Sequence, residues 1–431
     1  MTLLLIVAIV AAHAWLTMTA PTMHRPFLGV LLFCHAYVCL GGTWYWIYQK
    51  NTYFVGTMWG AARLNEAALT LSSATLLMAL TVWVVSRRTP STMVVTDRLS
   101  PDPLRSVIPA EMLFAIGVLA ALYVIQGGAA SARAALNGEA SYFLIAFQFA
   151  DMMIPAWLYM LARRGFTGPV LARFAFLVFY TIFTGLRYKL ALLAIPIVVF
   201  MFLKERSVAK RIGLTAGFSA AVFTLFTVMT LYRSKFSGID FTQRAPTTDP
   251  LFGIFAESNV LFGLTSVIRT YIYRGVTYPL SPIIDSISGL VPRVLMPTRM
   301  VGEYRKGAIH GLLTNEGFRS GTTYPVVGEF AIMGGWAGIA IGSILFAFVY
   351  LFLHRLVRKL APSTAHLIVG IAMVAGFVGY YNYSRGYLPQ ITKGYIFIMI
   401  PYLVLCRLAW RRPQAGRSSY AVGFPTSNRV A

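Results

Sequence analysis

Acidic side chains are scarce in this chain. It has 14 Asp and Glu against 37 Lys and Arg, so each carboxylate is informative. Glu329 stands in Tyr324-Pro-Val-Val-Gly-Glu329-Phe, at the edge of a long apolar run. A carboxylate entering a membrane helix is costly and is by default a functional residue. Two roles fit it equally, a general base or an ion-pair partner for an arginine. Asp151, in Gln148-Phe-Ala-Asp151-Met-Met, lies in the middle of a run. It either partners a polar group of another helix or lines a cavity. Glu303 and His310, in Gly302-Glu303-Tyr-Arg305-Lys306-Gly-Ala-Ile-His310, bring acid, base and cations close together. Histidine is a competent proton acceptor near neutral pH. A solvated loop cluster is the equal alternative there.

The cations outnumber what topology alone requires. Arg187 and Lys189 sit in a very short turn, Thr184-Gly185-Leu186-Arg187-Tyr188-Lys189. A long connection carries Arg233, Lys235, Arg244, Arg269, Arg274, Arg293, Arg299, Arg305, Lys306 and Arg319, and a later one Arg385 and Lys393. Arginine offers phosphate oxygens a planar, bidentate fork that never loses its charge. A diphosphate on a lipid headgroup is the ligand this set suits. Snorkelling to ordinary anionic lipid is the plainer reading of any single member. Aromatics gather at run ends, as Trp44, Tyr45, Trp46 and Tyr48, then Tyr380, Tyr381, Tyr383 and Tyr387. An interface belt explains them. The sharper reading is sugar-ring stacking at Tyr381-Asn382-Tyr383-Ser384-Arg385. There is no P-loop, no zinc-ligand spacing and no nucleophile elbow. Cys34, Cys39 and Cys406 lie inside apolar runs and read as small buried hydrophobes.

The elements that must position these residues are helices in a membrane. The chain is 57% hydrophobic and only 12% charged, where a soluble domain carries about a quarter charged residues. Its apolar runs do not alternate as barrel strands would. About eleven runs are long enough to approach or cross a ~30 Å hydrocarbon core. They fall at Leu3–Ala20, Phe27–Tyr48, Ala67–Val85, Ala110–Gln126, Tyr142–Ala162, Val170–Gly185, Leu190–Leu203, Ile212–Leu231, Ala331–Leu353, Ala365–Tyr383 and Tyr395–Trp410. The fold class is therefore an all-α polytopic bundle, one integral membrane domain over residues 1–431. The first run lacks a basic segment before it and reads as an uncleaved helix.

Orientation follows from the basic loops. The clusters Arg87/Arg88/Arg98/Arg105, Arg163/Arg164, Lys204/Arg206/Lys210/Arg211, Arg355/Arg358/Lys359 and Arg411/Arg412/Arg417 all fall on one side if eleven runs cross. That side is cytoplasmic, with the N-terminus outside and the C-terminus inside. The net charge of +23 belongs to these loops, and no soluble basic domain for nucleic acid exists. The basic tail, residues 411–431, is expected to be disordered. Residues 232–324 form one large outer loop of about ninety residues, a length that is usually functional. Its apolar stretch Leu251–Tyr273 is expected to lie on, or dip into, the outer leaflet.

With many spans and one large outer loop late in the chain, the sequence resembles the oligosaccharide repeat-unit polymerases, the Wzy-type family of O-antigen and exopolysaccharide synthesis. Three segments carry the likeness. Gly185-Leu186-Arg187 places an arginine at a short outer turn. Leu290-Val-Pro-Arg293-Val-Leu-Met296-Pro297 resembles the family's "IPR-aromatic-P" stretch, with Met296 where an aromatic is common. Gly328-Glu329-Phe330, followed by Gly334-Gly335 and Gly338, resembles its "GE…G…G" pattern after the loop.

The resemblance implies transfer of a growing glycan from a polyprenyl diphosphate to a newly arrived lipid-linked unit, on the outer face of a bacterial cytoplasmic membrane. Of the residues in its three segments, it implies Arg187 and Glu329 at the reaction and Arg293 on the diphosphate. The reading of the residues adds His310 as a candidate at the reaction, and Lys189, Arg233, Arg274, Arg305, Arg319, Tyr381 and Arg385 as candidates on diphosphate or sugar. No metal or cofactor is implied. Implied partners are membrane lipids, a chain-length regulator and a flippase of the same pathway. A glycan ligase shares the architecture, and a lipid-linked-oligosaccharide flippase is the transporter alternative.

Overall fold

The structure is a computed structural model. It describes residues 2–48, 61–88, 97–127, 141–184, 187–204, 207–231, 251, 255–288, 324–384 and 386–410. Nearly all of these are helical. Nine helices among them are long and apolar enough to cross a membrane, which makes the chain a multi-pass membrane protein. Seven are α1 Thr2–Thr19, α2 Arg25–Ile47, α3 Ala61–Ser86, α4 Ile108–Gln126, α5 Ile145–Arg164, α12 Thr364–Ser384 and α13 Leu388–Leu408. The other two are α8 Val208–Leu231 and α11 Val326–Leu360. Two helices of the same register, α6 Gly168–Thr184 and α7 Arg187–Lys204, have shorter apolar stretches. They occupy the sixth and seventh predicted runs, so all eleven runs are helices while nine reach spanning length.

α12 is the axis of the bundle. It is apolar on every side and almost wholly buried, as expected of a helix surrounded by protein. It packs against α2, α5, α7 and α11. Small residues admit these neighbours: Gly370 lies against Val357 and Tyr402, and Gly379 against Phe27 and Val30. α1 and α4 are peripheral and turn large apolar side chains outward, such as Leu4, Met18, Met112 and Leu119. That is the surface a lipid solvent requires.

The two ends of the bundle differ. At one end the segment 97–100 is tied to the last turns of α11 and α13. Arg98 N–H donates to Pro362 O (2.8 Å), Ser100 N–H to Ala409 O (2.8 Å) and Trp410 Nε1–H to Leu360 O (2.7 Å). Arg98 and Arg407 both lie over the Trp410 ring, and Glu111 pairs with Arg164 and Arg173. This basic end gathers residues of three of the predicted cytoplasmic clusters.

Within the large loop, the apolar stretch expected to lie on or dip into the outer leaflet is packed into protein. α9 (Val260–Ile272) is inside the bundle, against α2, α3 and α11, and every residue from Val260 to Val267 is buried. The first two turns of α9 are apolar or small on every side and covered on every side, and its last turn, with Arg269 and Thr270, is half-exposed. The outward-facing amphipathic piece of the loop is instead α10, Ser281–Ser288. It exposes Ile283, Ile284 and Ile287 and buries Asp285 and Ser286 against α13.

Candidate functional site

The opposite end of the bundle is organised by a bend in α11. Gly335 has φ +60° and ψ −140°, a backbone conformation that suits glycine. The bend sends residues 326–333 back along the helix that follows. A Cβ on Gly338 would stand 2.2 Å from the Phe330 carbonyl oxygen, and one on Gly342 would meet the Phe330 ring. In a straight helix Phe330 and Gly342 would be roughly 18 Å apart along the axis. Residues 326–333 thus form a half-helix folded into the protein, and Glu329 is on it.

Glu329 is fully buried. Its Oε1 accepts from the Tyr324 hydroxyl (3.0 Å) and from the Leu388 backbone N–H (3.2 Å). Leu388 is the first residue of α13, so the carboxylate caps a helix N-terminus from another segment. The free N–H groups and the positive end of the helix dipole favour its charge. Gly386 N–H donates to Tyr324 O (2.8 Å), and the Tyr324 and Tyr387 rings meet edge to face at 4.9 Å. Tyr278 N–H donates to Ile332 O (2.9 Å), and Tyr271 lies within electrostatic reach of Glu329. The half-helix, the end of α9 and the start of α13 therefore converge on one carboxylate and its phenols. Widened π-helical turns, often found at functional sites, occur in this half of α2, α12 and α13 and at the end of α9.

A second buried charge lies between α5, α6 and α7. Lys189 Nζ is 2.5 Å from Asp151 Oδ1, with side-chain exposures of 3% and 21%. The ammonium also stands 5.2 Å from the ring centroids of Phe147 and Tyr180, at cation–π distance. Asp151 is thus the partner of a polar group on another helix. A diphosphate could reach Lys189 only by competing with Asp151.

The remaining sequence-predicted residues are distributed as follows. Arg187 is the first residue of α7. Arg274 is exposed in the turn after α9, next to Tyr273, whose hydroxyl donates to Glu66. Tyr381 is buried and stacked on Phe377 at 5.3 Å, so a sugar could stack on it only after rearrangement. Arg233, Arg293, Arg305, His310, Arg319 and Arg385 lie outside the described residues, as do Glu303, the Leu290–Pro297 segment and the tail 411–431. Among the described residues no group of three or more His, Cys, Asp or Glu gathers as a metal site.

Sequence reasoning overlooked the histidines. His13 and His35 are fully buried in α1 and α2, with their Nδ1 atoms 3.2 Å apart, so one donates and the other accepts. His24, in the turn between those helices, bonds the Tyr350 hydroxyl (3.0 Å) and stacks near His354 at 4.3 Å. A signal was available, since ionisable residues inside apolar runs are functional hypotheses by default. No family model matches the chain, and neither a curated protein nor a solved structure does.

Proposed function

We propose that the chain is a membrane glycosyltransferase that polymerises polyprenyl-diphosphate-linked oligosaccharide units on the outer face of the cytoplasmic membrane. The observation that carries this reading is the folded-back half-helix. It follows the large loop and holds Glu329 among Tyr324, Tyr271 and the N-terminus of α13, at the end opposite the arginine-rich loops. In the reaction, an acceptor sugar hydroxyl attacks the anomeric carbon of the donor glycan. The bond from that carbon to the diphosphate oxygen breaks, and the lipid diphosphate leaves. Charge builds on the departing oxygen, and arginines stabilise it, Arg187 and Arg274 among them. The hydroxyl proton passes to Glu329 or to the departing diphosphate. His310, Arg233, Arg293, Arg305, Arg319, Arg385, Lys189 and Tyr381 complete the proposed donor and acceptor contacts. The topology of the proposal has eleven crossings, the N-terminus outside and the C-terminus in the cytoplasm.

A second reading has one observation of its own. A flippase places its cations between helices, and Lys189 is enclosed between α5, α6 and α7. Glycan analysis in a deletion strain separates the readings. A polymerase defect leaves single repeat units and no ladder. A flippase defect leaves no outer product, and a ligase defect leaves long chains on the lipid carrier. Arg187→Ala is expected to shorten chains strongly at normal protein level, since removing a donor to developing charge costs about 10²–10³ in rate. A deletion strain with an intact ladder would end the polymerase reading.

A further inference from the structure

A groove of about 490 Å³ opens beside the bend of α11, between α1, α3 and α11. Its back wall is one face of α3, where Ala62, Glu66, Leu69, Ser73 and Leu77 recur at helical spacing. That stripe runs roughly 22 Å along the helix, more than one leaflet of a ~30 Å core. The groove is polarised along its length. At the end near the bend are Thr2, Asn65, Glu66 and Thr70, with exposed Trp336 at the rim. Farther in, the wall is Leu69, Ala74, Leu77, Ile339 and Ala340, with Ser73 the one polar side chain among them. A polar mouth above a long, narrow, apolar floor has the profile of one lipid chain with its headgroup.

The mouth also has a sign. Asn65 Oδ1 is buried without a hydrogen-bond partner, and Glu66 is the carboxylate beside it. Both are acceptors; Glu66 Oε1 already receives the Tyr273 hydroxyl, and the Asn65 oxygen is the one left without a donor. Asn65 therefore calls for a donor, and the charge of Glu66 beside it favours a cationic one. Arg63, one turn earlier on α3, is exposed and close enough to act on the Tyr273 phenol that Glu66 binds. A carboxylate and a guanidinium at this spacing complement an ammonium and a phosphate on the same headgroup.

We propose that this groove is a binding site for a phospholipid with a primary-ammonium headgroup, one acyl chain lying along α3 and the ammonium at Asn65 and Glu66. The site stands apart from the half-helix and does not rest on the polymerase reading. A headgroup carrying phosphate alone would meet Glu66 with like charge.

The test uses the full-length protein in detergent, titrated with phosphatidylethanolamine and with phosphatidylglycerol and read by native mass spectrometry. Phosphatidylethanolamine should bind about tenfold tighter, the size of one charge-assisted hydrogen bond. Glu66→Gln should remove that preference. Ala340→Trp and, separately, Ala62→Trp place bulk in the groove from exposed positions and should abolish the bound species at unchanged melting temperature. Equal binding of the two lipids would overturn the proposal, as would a preference for phosphatidylglycerol or for a polyprenyl phosphate. Retention of the lipid by both tryptophan variants would overturn it too.

Discussion

Two carboxylates in this protein, one half-buried and one fully buried, are accommodated in different ways. Asp151 is matched by a formal charge, the Lys189 ammonium at 2.5 Å. Glu329 accepts from a phenol at 3.0 Å and from a helix N–H at 3.2 Å. An ion pair fixes two helices to each other and neutralises both groups. A carboxylate that accepts from a phenol and a helix N-terminus anchors its segment to both of them. The first arrangement holds α5 against α7, and the second holds the half-helix of α11 against the start of α13.

The largest expected effect comes from breaking the first arrangement. Lys189→Met leaves Asp151 without its cation; removing one partner of a fully buried pair typically costs about 3–5 kcal/mol, and the partial exposure of Asp151 puts the loss at the lower end of that. The melting temperature in detergent should drop accordingly. Lys189→Met with Asp151→Leu should recover most of the loss, because apolar replacement of both partners is often neutral. If the double variant makes normal glycan ladders, the pair is structural. If it is stable yet makes none, Lys189 belongs to the reaction or to a transport path.

Glu329 tests the other half of the comparison. Glu329→Ala removes the acceptor of two hydrogen bonds and should destabilise the protein by about 2–4 kcal/mol. Glu329→Gln keeps a carbonyl acceptor in the same place and should keep most of the stability. Chain length in the glutamine variant then decides the role. Loss of the ladder with a stable protein means a base, and near-normal chains reduce Glu329 to the cap of α13.

The bend is next in size. Gly338→Ala puts a methyl group at the Phe330 carbonyl and must push the half-helix away. Gly335→Ala has open space around it and meets only the strain of its positive φ, about 1–2 kcal/mol. Gly338→Ala should therefore be the more harmful to any activity at Glu329, and the reverse order would place the constraint in the turn.

These residues also mark how far the sequence could be read. The all-helical membrane fold was legible, because hydropathy over about 20 residues is enough to define a span. The pairing of Asp151 with another helix's polar group was legible as a requirement, and the identity of Lys189 was not, since helix packing decides it. Gly328, Gly334, Gly335 and Gly338 were visible as a pattern, but a pattern does not say that the chain doubles back there. That α9 packs against α2, α3 and α11 was not legible, because apolar composition alone does not say whether protein or lipid covers a helix.

The smallest effect expected is a pH dependence at the basic end. His24 lies outside the spans, in the turn between α1 and α2, and its faces are occupied by Tyr350 and His354, with Arg358 close by. Burial, and then the Arg358 charge, lower its pKa from 6.5 to about 4. The unfolded chain therefore binds the proton first as pH falls, and stability contributed by neutral His24 is present above pH 6.5 and lost on the way down to about 4. His24→Gln retains a polar group without the titration. The melting-temperature advantage of the natural protein over this variant should be greatest near about pH 7.5 and shrink by about pH 5. A constant difference across that range would mean that the turn relaxes and lets His24 titrate as a solvated histidine.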